Sequence, residues 1–387
     1  MDSHLDLKPF EYCFDPSPLQ NSHISGNYFP FLKEALSGES QELKNSNCFD
    51  PRSLSLPWPT TFPATVQNKY WREAQAAAVE LFEQITSAAQ QKEYEVGYEK
   101  RMRDKNIAER GLLLIDAAAS TSTNIFPAAS VIKAKTMAKA SLLFFIHDDD
   151  ADSKIYGPGM NVLKESLEET QQLSRGLEEY RGPWKNTVFQ QWVDECVGEN
   201  YTMGLKMVRG MLTWAKYILD NPPKKHVHFL TWPDYVEYRI NDSLGMAISD
   251  ILQFTCGISM TESETRTINE MYRLYMMHFS LTNDLYSYEK ENREAKEDGA
   301  SFINGVQVLT DLLDVPSQTA KYILRLTILS LERQLNEAYI THAQSRTRSA
   351  KQLRFARSMI ESAAGNLFLS STLARYARAV PGSRLKN

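Results

Sequence analysis

Four carboxylates fall within five positions at Asp148-Asp149-Asp150-Ala151-Asp152, directly after the apolar run Leu142 to Ile146. Such crowding costs free energy through like-charge repulsion unless cations sit nearby. Asp148, Asp149 and Asp152 fall on one side of a helix, because positions i and i+4 are neighbours. Oxygen ligands gathered this way suit magnesium, which keeps several waters and shares its remaining places with substrate phosphates. A calcium loop started at Asp148 fails, since Ser153 would hold its glycine position and Gly159 its closing glutamate. The bland alternative is a solvated acidic helix end.

A second oxygen-rich set lies downstream at Asn283, Ser287 and Glu291. Spaced i, i+4 and i+8, these residues run along one helix face for about 12 Å. An amide oxygen, a hydroxyl and a carboxylate make a mixed site for one hard cation. Ordinary residue usage produces the pattern about one time in twenty in a chain this long, so alone it is weak. Its alternative is a polar helix face with ordinary i,i+4 pairs. Two oxygen-rich sites on separate helices, with no nucleophile motif, point to metal-assisted departure of a diphosphate.

Long helices must position these sets. After residue 64 apolar residues recur at three- and four-residue spacing, as in Tyr70, Ala74, Ala77, Leu81 and Ile85. The periods predict helices near 67–92, 107–119, 128–153, 160–181, 185–220, 233–256, 262–294, 302–314, 317–344 and 347–379. Breaks fall at Pro127, Gly157-Pro158-Gly159, Gly182-Pro183, Pro222-Pro223 and Pro316. Asn304-Gly305 is the one tempting turn, but its flanks read as helix. Eight of the 16 prolines precede residue 64, which predicts residues 1–65 as a mainly irregular segment packed on a single α-helical domain, 66–387. No hairpin signal of alternating β-branched residues is present.

Composition excludes other classes. The net charge of −5 disfavours nucleic acid and anionic membrane, and no apolar run spans a bilayer. The N-terminus carries no secretory pattern, so the expected location is cytoplasmic. Cys13, Cys48, Cys196 and Cys256 lack the close pairing of a zinc or redox site and read as free thiols.

With both motifs in view, the sequence resembles the class I terpene synthases (terpene cyclases). In that family Asp-Asp-x-x-Asp and Asn-x-x-x-Ser-x-x-x-Glu hold three magnesium ions against a prenyl diphosphate. Asp148, Asp149 and Asp152 match the first motif; Asn283, Ser287 and Glu291 match the second, with Lys290 at its basic position. The family's arginine diphosphate sensor, linker aspartate and effector match Arg239, Asp242 and Ser243, and its late Arg-Tyr pair matches Arg375 and Tyr376. Ser243 stands where bacterial relatives often have glycine. The likeness covers roughly residues 65 to 380. Tyr238-Arg239 and the Asn-Asp-x-x-Ser-x-x-Lys-Glu form look most like the cyclase halves of fungal bifunctional di- and sesterterpene synthases. Those enzymes continue into a prenyltransferase domain, so the expectation is a stand-alone cyclase or an excised half.

The resemblance implies an all-α bundle around a central apolar cavity, with magnesium as cofactor and three ions expected. It implies a prenyl diphosphate as the partner molecule, no nucleic acid, no membrane span, and room for a homodimer. Geranylgeranyl diphosphate is expected first, farnesylgeranyl second and farnesyl third, cyclised to a hydrocarbon or alcohol. Helix geometry predicts that Phe144, Phe145, Phe279 and Met276, one or two turns before the ligands, line the cavity. Trp71, Trp192, Trp214 and Trp232 read as core.

Three other readings are weighed. A chain-elongating prenyltransferase needs a second Asp-Asp-x-x-Asp, which the downstream half lacks. A non-enzymatic acidic scaffold needs no chemistry at all. An HD-type phosphohydrolase could use His147, but His226, His228 and His278 are poorly spaced for it, so His147 reads as a packing or supporting residue.

Overall fold

The computed structural model describes residues 5–18, 24, 26–38, 40–96, 104–153, 159–173, 180–222, 228–245, 247–297, 299 and 302–385. Helix α1 (Pro30–Ala35) leads into strand β1 (Ser46–Phe49), which pairs antiparallel with β2 (Thr65–Asn68). Then follow α2 (Trp71–Val96), α3 (Asp104–Ile125), α4 (Val131–Ser153), α5 (Val162–Leu173), α6 (Thr187–Glu199) and α7 (Tyr201–Asp220). The rest is α8 (Trp232–Asp242), α9 (Ile248–Cys256), α10 (Glu262–Arg266), α11 (Asn269–Glu297), α12 (Gly305–Leu313), α13 (Ser317–Gln344), α14 (Ala350–Thr372) and α15 (Ala374–Ala377). The all-α architecture expected from the periods is the one observed.

Four predicted helices are broken by local chemistry that periodicity does not register. Residues 185–220 split at Asn200, whose extended backbone ends α6 while its side chain accepts from Met203 N at 2.9 Å and caps α7. Gly204 lets the two helices meet, since a Cβ there would lie 2.3 Å from the Cys196 carbonyl. Residues 233–256 split after Asp242, where Leu244 takes a left-handed conformation (φ 69°). A Thr261–Glu264 capping box starts α10, and α11 begins only at Asn269. Leu373 is extended and turns the chain from α14 into α15. The predicted 160–181 helix is seen as α5; residues 174–179 lie outside the described residues.

The two-stranded sheet is the main departure from expectation. Each strand has four residues, and fifteen residues separate them, so pairing depends on contacts that no short window contains. The segment is fastened to the bundle by buried groups. Thr60 Oγ1 and Thr61 N and Oγ1 donate to the Glu332 carboxylate at 2.6–2.7 Å, and Phe29 stacks on Phe62. Helix α11 lies at the centre, buried on nearly all sides from Met271 to Tyr288, with α12, α13 and α14 packed around it. A helix apolar all round belongs in a core. Its polar residues therefore need specific partners.

Candidate active site

Four helices deliver the polar wall of one cavity of about 320 Å³. The end of α4 brings Asp148 and Asp149, α8 brings Arg239 and Asp242, and α11 brings Asn283, Lys290 and Glu291. Ser243 follows α8, and α15 adds Arg375 and Tyr376. Below them the wall is apolar, including Phe144, Phe145, Trp214, Phe279 and Leu369.

Arg239 is the hub. Its Nε donates to Asp284 Oδ1 at 2.7 Å, its Nη2 to Asn283 Oδ1 at 2.7 Å, and its Nη1 to Asp242 Oδ2. A planar fork with five donors can satisfy three acceptors on two helices; an ammonium cannot. Asn283 is held from its other end, where Nδ2 donates to Tyr376 Oη at 2.7 Å. Across the cavity, Arg375 grips both oxygens of Asp149 and lies 5.4 Å over the Phe145 ring. Lys290 pairs with Glu294 at 2.9 Å.

Asp148 is different. It makes no hydrogen bond among the described residues, and its carboxyl is pushed up to about 7 by burial and by the charges of Asp242 and Asp149, against the pull of Arg375 and Lys290. Ser287 Oγ, one turn from Asn283, is buried without a partner, as is Ser243 Oγ. An under-neutralised carboxylate, an orphaned hydroxyl, an amide oxygen and the Glu291 carboxylate are hard donors that fit a small divalent cation. Among the described residues no three His, Cys, Asp or Glu side chains cluster closely enough to hold a metal by themselves, so water and phosphate oxygens would complete its shell. Asp152 lies in the last turn of α4, and its side chain is outside the described residues.

One cavity-lining expectation is corrected. Met276 is fully buried, but the cavity wall on α11 stops at Phe279; two turns below Asn283 the helix is already enclosed by α13 and α14. Trp214 is buried in the core and also lines the cavity, edge-on to Phe144 at 5.0 Å. Asp150, one of the four crowded carboxylates, points elsewhere and accepts from Asn161 Nδ2 at 3.0 Å. His147 is a packing residue, buried with its ring nitrogens 3.1 Å from Asn161 Oδ1 and 3.2 Å from the Ala215 carbonyl. His278 is committed to Glu332, and His226 lies outside the described residues.

Three residues of the network escape sequence reasoning. Asp284 is fully buried, accepts from Arg239 Nε, Tyr235 Oη and Gly305 N, and is pushed up to about 6 by burial despite Arg239. Asn304 caps α12 and donates to Glu291 Oε2 and to the Asp284 carbonyl, both at 2.9 Å. Gly305 is required because a Cβ would lie 2.8 Å from Asp284 Oδ2. The only signal was the Asn304-Gly305 pair, and its helical flanks hid it.

Residues 139–334 match the family described as terpene synthase family 2, C-terminal metal binding. The chain belongs to that family. The match begins on α4 and ends on α13, so it contains both oxygen-donor sets and the Arg239 hub. Among curated proteins, terpene cyclase aneC of Aspergillus aculeatus is 29% identical over 335 residues, 87% of this chain and 74% of its own. A bifunctional type I diterpene synthase, tndC of Aspergillus flavipes, is 27% identical over 61% of this chain and 31% of its own. Among solved structures, aristolochene synthase from Penicillium roqueforti superposes with a TM-score of 0.57 at 14% identity, over 76% of this chain and 94% of that one. The terpene synthase family accounts for the fold, the enzyme class and a divalent-metal site. No described helix is long and apolar enough to cross a membrane.

Proposed function

We propose that this enzyme ionises a linear prenyl diphosphate and cyclises the resulting cation. The observation that carries the reading is the shared cavity: two oxygen-donor sets and basic side chains, among them Arg239, Lys290 and Arg375, line it together with aromatic and aliphatic side chains. Asp148, Asp149 and Asp152 would hold magnesium from α4; Asn283, Ser287 and Glu291 would hold it from α11, with three ions in all. Bound magnesium neutralises the diphosphate and makes it a leaving group.

The chain's own residues do the rest. Arg239, Lys290, Arg375 and Tyr376 bind and orient the diphosphate through charge-assisted hydrogen bonds. Arg239 also touches Asp242 at the α8–α9 break, so diphosphate binding is linked to Ser243 at the cavity wall. The apolar wall excludes water from the cation, and Trp214, Phe144, Phe145 and Phe279 present ring faces that stabilise positive charge. Residues 66–387 act as one cyclase domain on which residues 1–65 pack.

For substrate length, a cavity of about 320 Å³ lies at the low end of the roughly 300–1,000 Å³ usual for small-molecule sites. That supports farnesyl diphosphate ahead of geranylgeranyl and farnesylgeranyl diphosphate, moving to first place the substrate that the resemblance puts third. The test is incubation with each of the three, with magnesium or EDTA, reading released diphosphate and the hydrocarbon extract by mass spectrometry. Turnover that survives EDTA removes the metal from the mechanism. Incorporation of added isopentenyl diphosphate would instead assign chain elongation.

A further inference from the structure

The cavity's apolar body contains one side-chain amide, Asn366 of α14. It is only 2% exposed. Its placement is rigid, because the neighbouring Gly365 presses α14 onto α3: a Cβ at 365 would lie 1.8 Å from the Asn124 carbonyl. Its orientation is fixed as well. Nδ2 donates to the Phe279 carbonyl at 2.9 Å, and a carbonyl accepts only from the nitrogen end of an amide. Oδ1 accepts no hydrogen bond among the described residues, and it belongs to a wall residue of the cavity. The bonded carbonyl lies one turn below Asn283, so the amide sits beneath the proposed metal level.

An amide oxygen on the cavity wall with no protein donor is left free to act on whatever fills the cavity. In a low-dielectric cavity the same dipole acts strongly on a nearby positive charge. We propose that Asn366 is a specificity-determining residue: its Oδ1 stabilises a cationic intermediate at the cavity floor and so decides at which cation the cascade ends. It forms no covalent bond and takes no proton; the leaving diphosphate remains available for that. The inference rests on the terpene cyclase reading given above.

The test compares wild type with Asn366→Leu, which keeps the branched shape and removes the dipole, and with Asn366→Gln, which displaces it by one methylene. Diphosphate release, product distribution and thermal unfolding are measured on each, in water and in ¹⁸O-labelled water. The expected result for Asn366→Leu is diphosphate release within about threefold of wild type, while the ratio of late to early cyclisation products falls about tenfold or more. Asn366→Gln should shift the same ratio, and it carries the reading if the leucine variant does not fold. An unchanged product ratio in the folded variants overturns the proposal, whatever happens to the melting temperature. Loss of ¹⁸O from an alcohol product, with the carbon skeletons unchanged, would make Asn366 a water holder and also overturn it. Wild-type protein that releases no diphosphate from any of the three substrates overturns the cyclase reading itself, which separates the two failures.

Discussion

The two helices that carry the proposed metal ligands meet the cavity in contrasting ways. On α11, Asn283 is bonded at both ends of its amide, and Glu291 is held by Asn304. These side chains sit on a helix buried between α12, α13 and α14, with the orphaned Ser287 hydroxyl between them. On α4 the proposed ligands occupy the last turns, Asp149 is gripped by Arg375, and Asp148 is pushed up by burial and by the charges of Asp242 and Asp149. One half of the site is built by protein contacts. The other half has its charge balanced only when cations arrive. The contrast teaches that ligand residues of equal chemical rank differ in what their substitution reports: on α11 it disturbs a network, on α4 it removes a carboxylate that the fold itself does not need.

The largest effect should therefore come from the hub. Arg239→Lys keeps the charge but loses the fork, leaving buried Asp284 without its guanidinium. Breaking a buried pair costs about 3–5 kcal/mol, and losing a preorganised donor costs about 10²–10³ in turnover. Both the melting temperature and kcat should fall. Near-native kinetics in a folded Arg239→Lys protein would take Arg239 out of the site.

Asp148→Ala sharpens the contrast from the other side. Turnover should drop by about 10³ or more, while thermal stability without metal holds or rises, because repulsion with Asp149 and Asp242 is relieved. A melting temperature that falls as far as in Arg239→Lys would mean that α4 is also held by its carboxylates.

Asn304→Ala should give an intermediate result. It removes the α12 cap, worth about 1 kcal/mol, and frees Glu291. Residues that orient a ligand typically change metal affinity about 10–100-fold. Magnesium titration of activity and of melting temperature should both shift by that factor. A shift in melting temperature without any change in the magnesium midpoint would reduce Asn304 to a helix cap.

What could be read from the sequence divides along the same line. The polar side chains that line the cavity were legible, because i,i+4 spacing on one helix is a local property: Asp148 with Asp149, Asn283 with Glu291, and Arg239 with Asp242 all reach the same cavity wall. The residues that hold them were not. Asp284 looks like filler beside Asn283 until Tyr235 and Gly305 arrive from two other helices. The β1–β2 pairing and the Asn200 break were hidden for related reasons, one resting on long-range contact and the other on a single side-chain cap. Met276 failed because periodicity gives the face of a helix but not how deep the cavity runs along it.

The smallest expected effect concerns Asp150, which composition alone cannot separate from its neighbours. Unlike Asp148 and Asp149, Asp150 does not line the cavity, and it accepts from Asn161 Nδ2. Asn161 in turn accepts from Lys164 N at 3.1 Å at the start of α5. Asp150→Ala therefore removes one partly buried hydrogen bond, a loss of about 1 kcal/mol, and no proposed ligand. The melting temperature should fall by a few degrees, with kcat and the magnesium midpoint within about twofold of wild type. Set beside Asp148→Ala, this variant checks whether position on the helix or carboxylate density near α4 drives the chemistry. If Asp150→Ala abolishes turnover as Asp148→Ala should, the acidic end of α4 acts as a diffuse charge, and the division between ligand and supporting carboxylates fails.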